Sequence, residues 1–321
     1  MELKETEAKP TYSKTIKLWI DADSLIYRAA HAGEKEHREE EEQFKAHPLF
    51  EEMAMGTMFD KQRAILHSMI DGIVWKVRAD LNLKGVDIEE YFLVFTPKKK
   101  YCDEHGLKIN FRYGIIDDYN YKAAKENLER GNLSEDDIFE PHPAYKASRK
   151  GMPLPEGIPE LFDYVGNPDN IPNAVFSDNC EADDVVFREK VEDLDGVVIA
   201  CLDKDIYMGT PGGELGHYNF NKNEWIYTTT EEANLFFYRQ CMTGDSSDGI
   251  KGIFRYGPKA AEKDLPEWTN HEDMWKTVLA RFIDKGYTED YAILMMRLVN
   301  LNQLTSEGKI ELWEPLYGWE D

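Results

Sequence analysis

Carboxylates recur in this chain at places where side chains from separate segments could meet. The stretch DNCEADDVVF, residues 178 to 187, sets Glu181, Asp183 and Asp184 within four positions, immediately before an apolar run. Asp21 follows the run IKLWI, Asp203 and Asp205 follow VVIACL, and Asp245 and Asp248 lie in TGDSSDG. Two carboxylates about 5 Å apart repel by roughly 3 kcal/mol at an effective dielectric of about 20. Grouping such residues therefore calls for a positive partner. The donors are hard oxygens with no His or Cys cluster beside them, which suits Mg2+ or Mn2+, and two such ions could clamp the attacking and leaving oxygens of a phosphodiester. Each acid also has a plainer reading. Glu181 and Asp184 are one helical turn apart at a helix start, as are Asp245 and Asp248 in their turn, and capping alone favours acids there. Capping does not account for acids at strand ends, helix starts and turns together.

Positioning these residues requires an alternating frame. The runs at 16–20, 90–97 and 196–205 are short, apolar and end in polar residues, the pattern of parallel strands covered on both faces. Segments 58–81 and 182–194 read as helices between them, so an open α/β sheet is expected, with ligands beyond the carboxyl ends of its strands. In extended chain Asp203 and Asp205 would share a face. Residues 206–230 read as a Gly-rich hairpin region, and from about 231 the chain turns helical.

Composition sets the limits. The 321 residues include 38 basic and 62 acidic side chains, a net charge of −24, which argues against a general binder of nucleic acid or anionic membrane. Much of the acid lies in EKEHREEEEQ, residues 34–43, expected to be a solvated helix face or a mobile loop. Four cysteines, Cys102, Cys180, Cys201 and Cys241, form no CxxC pair, so neither zinc nor a disulfide framework is expected. A charged N-terminus and the lack of an apolar run near ~18 residues lead to the expectation of a soluble, cytoplasmic protein without a membrane partner.

Five segments in order, IDADSLIYRAA, AYKASRKGMP, CEADDVV, ACLDKDIY and TGDSSDGIKGIFRYGPKAA, resemble the 5′-nuclease (flap endonuclease) superfamily. That superfamily includes the 5′→3′ exonuclease domain of bacterial DNA polymerases and stand-alone phage exonucleases. The resemblance implies a PIN-like α/β domain with a mainly parallel sheet, a helical arch and a helix–hairpin–helix subdomain. On this reading 1–15 is a flexible tail, 16–235 the nuclease domain with the arch region at about 97–157, and 236–321 the helical subdomain. It implies two Mg2+ or Mn2+ ions held by Asp21, Glu181, Asp183, Asp184, Asp203, Asp205, Asp245 and Asp248. The implied reaction is phosphodiester hydrolysis near a 5′ end, flap or single-strand/duplex junction of DNA, leaving a 5′-phosphate. Lys146 and Arg149 would stabilise the transition state, with Tyr145 and Lys150 beside them on the DNA and Arg112 in a related FR element. Gly249, Lys251, Gly252, Arg255, Gly257 and Lys259 would form the duplex clamp, where K+ is also expected. A monomer serving phage replication, in the host cytoplasm and beside other replication proteins, fits family habit.

Departures accompany the resemblance. Thr96 stands where the family usually has an Asp, and Arg255 where a glycine is common; residues 117–140 read as an insertion. The acidic balance means that DNA binding must rest on local basic patches, with steep salt dependence. Two alternatives stay open. A haloacid-dehalogenase-type phosphatase would use Asp21 as nucleophile and Asp23 as acid/base and would account for Thr96. A non-catalytic junction-binding relative would keep the fold alone.

Overall fold

The computed structural model describes residues 14–46, 56–129, 142–149, 151 and 153–315. Strand β1 (Lys14–Asp21) leads into helix α1 (Asp23–Ala46), α2 (Met58–Asn82) and β2 (Val86–Phe95). The chain continues through α3 (Lys99–His105), α4 (Phe111–Glu129), a 3-10 turn (Ala147–Arg149), α5 (Ile158–Val165) and β3 (Ala174–Phe176). Then come α6 (Ala182–Glu192), β4 (Val197–Cys201), α7 (Lys204–Gly209) and the hairpin β5 (His217–Asn219) and β6 (Glu224–Ile226). Helices α8 (Thr230–Thr243), α9 (Pro258–Asp264), α10 (His271–Asp284) and α11 (Glu289–Val299) complete the described chain.

Six strands form one sheet in the order β3-β2-β1-β4-β5-β6, parallel throughout except for β6 against β5. Every residue of β4 is buried, which is why its sequence is uninterruptedly apolar. On one face, α1, α2 and α5 pack Leu25, Ile26, Leu66, Ile70 and Leu161 against Leu18 and Ile20. On the other, α6 packs Val185 and Val186 against Trp19, Val94 and Ile199. The strand order reverses between β1 and β4, and ligands of open α/β sheets bind beyond the carboxyl ends at that point. Asp21 closes β1 there and Asp203 follows β4.

A second core joins α8, α10 and α11 through Met242, Trp275, Phe282 and Met295, and it also takes in Ile116 of α4 and Tyr145. Position 235 falls inside α8, so that helix runs from the sheet side into the helical side without a break. Helix α2 starts on a capping box between Thr57 and Asp60. The acidic run 34–43 continues α1 as a solvated helix, with Lys35–Glu39 at 3.7 Å and Lys61 reaching Glu40 at 2.5 Å. The expected tail lies almost entirely outside the described residues, as does most of the second half of the expected insertion; its first half is α4. No helix among the described residues is long and apolar enough to cross a membrane.

Candidate active site

Four local structures carry the acids to the switch point. Asp21 is the last residue of β1 and is 5 % exposed; Asp23 opens α1. Glu181 is the N-cap of α6, and Asp183 and Asp184 lie in its first turn. Asp203 caps α7, its Oδ1 accepting from the Asp205 N–H at 2.8 Å. The expected extended pair at 203 and 205 is therefore a helix cap, because the chain turns into α7 directly after β4.

The electrostatics show which acids crowd. Burial, with Asp23 and Asp203 as charged neighbours, pushes Asp21 up to about 8. Burial and the charges of Asp21, Glu181 and Asp203 raise Asp183 well above the usual carboxylate range. Burial also raises Asp23. Asp205 is pushed up to about 7 by burial and by its hydrogen bond with Asp245. Asp245 is lowered: burial works against it, but hydrogen bonds from Asp205 and Ser247 outweigh burial. Asp205 Oδ1 is buried without a hydrogen-bond partner, Lys204 Nζ standing 3.5 Å away.

Basic residues face the acids from the 3-10 turn. Lys146 bonds Glu181 and lies 3.5 Å from Asp248, while Arg149 Nη2 donates to Asp248 Oδ1 at 2.7 Å. Glu181 is lowered because Lys146 and Arg112 offset the cost of its burial. Lys146 is not helical: it adopts φ 54, and its N–H bonds the Asp248 carbonyl at 2.8 Å. Lys146 and Arg149 thus sit in a tight turn, and Lys150 lies outside the described residues.

Several expected roles need correction. Arg112 is 2 % exposed, too enclosed to reach DNA. Its guanidinium forms a fork with Asp184, Nη1 to Oδ2 and Nη2 to Oδ1 at 2.7 Å each, and also donates to the carbonyls of Leu298 and Asn300. Asp184, fully buried, accepts from the Glu181 N–H as well, so both its oxygens are committed to protein and it is no metal ligand. Tyr145 is 4 % exposed, its OH 2.7 Å from both Glu181 Oε2 and Asp248 Oδ2, which removes it from base stacking. Gly252 is buried at φ 58, and a Cβ there would come 2.4 Å from the Gly244 nitrogen. Its missing side chain serves packing of the hairpin rather than contact with DNA. By contrast Lys251, Phe254, Arg255, Gly257 and Lys259 lie on the surface, and Gly249 is partly covered at φ 78.

Thr96 has a defined task. Its Oγ1 accepts from the Ala182 N–H at 2.9 Å and its N–H donates to Asp23 Oδ1 at 2.7 Å. The hydroxyl thereby ties the end of β2 to the start of α6, and Asp23 supplies a carboxylate beside Asp21. In the sequence Asp23 has a role only in the phosphatase alternative; its two-residue spacing from Asp21 was the available signal.

The parallel sheet with buried acids at its switch point, and the helices beside it, are similar in fold to solved structures from bacteriophage T5. The T5 D15 protein co-crystallized with metal ions is 14 % identical, with 89 % of each chain covered and a TM-score of 0.51. The T5 D15 flap endonuclease in a pseudo-enzyme–product complex with DNA and metal ions is 12 % identical over 89 % of each chain, TM-score 0.49. T5 5′-exonuclease with divalent zinc bound is 12 % identical over 90 % of each, TM-score 0.48. No protein-family model and no curated protein matches this chain.

Proposed function

We propose that the protein is a metal-dependent 5′ nuclease that hydrolyses DNA phosphodiesters at 5′ ends or single-strand/duplex junctions and leaves 5′-phosphates. The observation that carries this reading is the mutual repulsion of Asp21, Asp183 and Asp203 at the switch point, beside Lys146. Among the described residues no three such groups are spaced to grip one ion as the side chains stand. The chemistry of the donors nevertheless fits a divalent cation. They are oxygens only, burial raises Asp21, Asp183 and Asp205, and one buried oxygen of Asp205 lacks a hydrogen bond. Asp21, Asp183 and Asp203 would hold Mg2+ or Mn2+ on one side and Asp205 and Asp245 on the other. Bound there, the ions supply Lewis-acid polarisation of the phosphodiester and its attacking water.

The chain's own residues do the rest. Lys146 and Arg149 carry fixed positive charge to the phosphate, where charge develops in the transition state. The exposed hairpin with Lys251, Arg255 and Lys259 would hold the duplex by its backbone phosphates, without reading sequence. The T5 D15 protein, which shares the fold, was co-crystallized with metal ions. The test is cleavage of a 5′-labelled flap, a nicked duplex and a single strand with Mg2+, Mn2+ or chelator, alongside p-nitrophenyl phosphate. Metal-dependent cutting of DNA that Asp21→Asn abolishes is expected, and the products separate stepwise loss from flap removal. Turnover of the small ester with DNA left intact would move the assignment to a phosphatase.

A further inference from the structure

Asp248 shares Tyr145 and Lys146 with Glu181, and among the described site acids it also takes Arg149. Oδ1 accepts from Arg149 Nη2 at 2.7 Å, and Oδ2 stands 2.7 Å from the Tyr145 OH and 3.5 Å from Lys146 Nζ. Its carbonyl takes the Lys146 N–H at 2.8 Å, and Gly249 follows at φ 78, where a Cβ would lie 3.5 Å from the Ala144 carbonyl. Asp248 is thus bound through side chain and backbone to the segment that carries both basic residues. We propose that Asp248 is a positioning residue whose carboxylate stands in for the substrate phosphodiester on Lys146 and Arg149 until DNA arrives, rather than a metal ligand. This inference rests on the nuclease reading above.

The chemistry of exchange is balanced. A phosphodiester presents two non-bridging oxygens and one negative charge, the same acceptor pattern that Asp248 offers. Glu181 keeps its bond to Lys146 when Asp248 lets go, so Lys146 stays in place. Arg149 differs: its side chain is 53 % exposed, and among the described residues Asp248 is its ion-pair partner. Arriving phosphate therefore takes over Arg149, which the paired carboxylate has already aimed. The half-exposed ion pair resists that exchange modestly, by a factor of about five in affinity.

The experiment is anisotropy of a labelled 5′-flap duplex in EDTA, with Mn2+ affinity of the DNA-free protein measured separately. Asp248→Asn should bind the flap about fivefold more tightly than wild type. The gain should vanish in the Arg149→Gln background, and Asp248→Glu, which keeps the charge, should show none. Mn2+ affinity should hold within about twofold in Asp248→Asn but fall more than about tenfold in Asp203→Asn. An equal gain with and without Arg149, no gain at all, or a loss of Mn2+ affinity matching that of Asp203→Asn would overturn the proposal. Wild-type protein that neither binds nor cuts any flap would remove the nuclease reading itself, and this inference with it. Circular dichroism of each variant separates loss of fold from loss of contact, and Arg149→Gln breaks the same pair from the solvent side should Asp248→Asn fail to fold.

Discussion

Replacing Arg112 with methionine tests whether that residue is scaffold or DNA contact. The guanidinium donates to both oxygens of Asp184 and to two carbonyls at the end of α11, all in a site closed to solvent. Removing it leaves a buried carboxylate with only the Glu181 N–H as donor, takes the Arg112 donor from the Leu298 carbonyl and leaves the Asn300 carbonyl to Gln303 Nε2. Breaking a buried pair in this way costs about 3–5 kcal/mol. Arg112→Met/Asp184→Leu removes both charges and should recover much of the loss. Urea unfolding of the three proteins at pH 7.5, with flap binding in parallel, reads all of this. A loss under about 1 kcal/mol, or a double variant no better than the single, would refute the scaffold assignment. Weakened DNA binding by a fully stable Arg112→Met would do so as well.

Two further outcomes follow from the same structure. Asp21, with a folded pKa of about 8 against an ordinary 3.8, binds its proton more tightly when folded. Its contribution is therefore complete below about pH 4 and lost as pH rises through 8, so metal-free protein should melt progressively lower across that window. Asp21→Asn should flatten the decline in EDTA melts from pH 5 to 9, and an unchanged slope would remove Asp21 from the crowded site. Arg255 occupies φ 57, a conformation that favours glycine. Arg255→Gly should raise stability by about 1 kcal/mol while weakening duplex binding and reducing its salt slope by about one; unaltered binding across salt would take the hairpin tip out of the interface.

Sequence alone determined the frame and the residue types gathered at the switch point. Buried parallel strands must be apolar throughout and must end in polar residues, so β1, β2 and β4 were legible, and α2 was legible as a helical segment between two of them. The oxygen-only character of the site was equally plain, since residue type decides which ions a cluster can suit. Tertiary structure decided the partners. Glu181, Asp183 and Asp184 are neighbours in sequence, yet α6 turns them toward Lys146 and Tyr145, toward Asp21 and Asp203, and toward Arg112, respectively. Helical geometry separates adjacent side chains by about 100°, and local pattern holds no record of what waits on each side. The reassignment of Arg112 from DNA contact to buried scaffold came from a carboxylate 72 positions away, and that of Tyr145 from acids 36 and 103 positions away. Burial and long-range pairing, which separate a metal ligand from a structural acid of the same type, exist only once the chain has closed on itself.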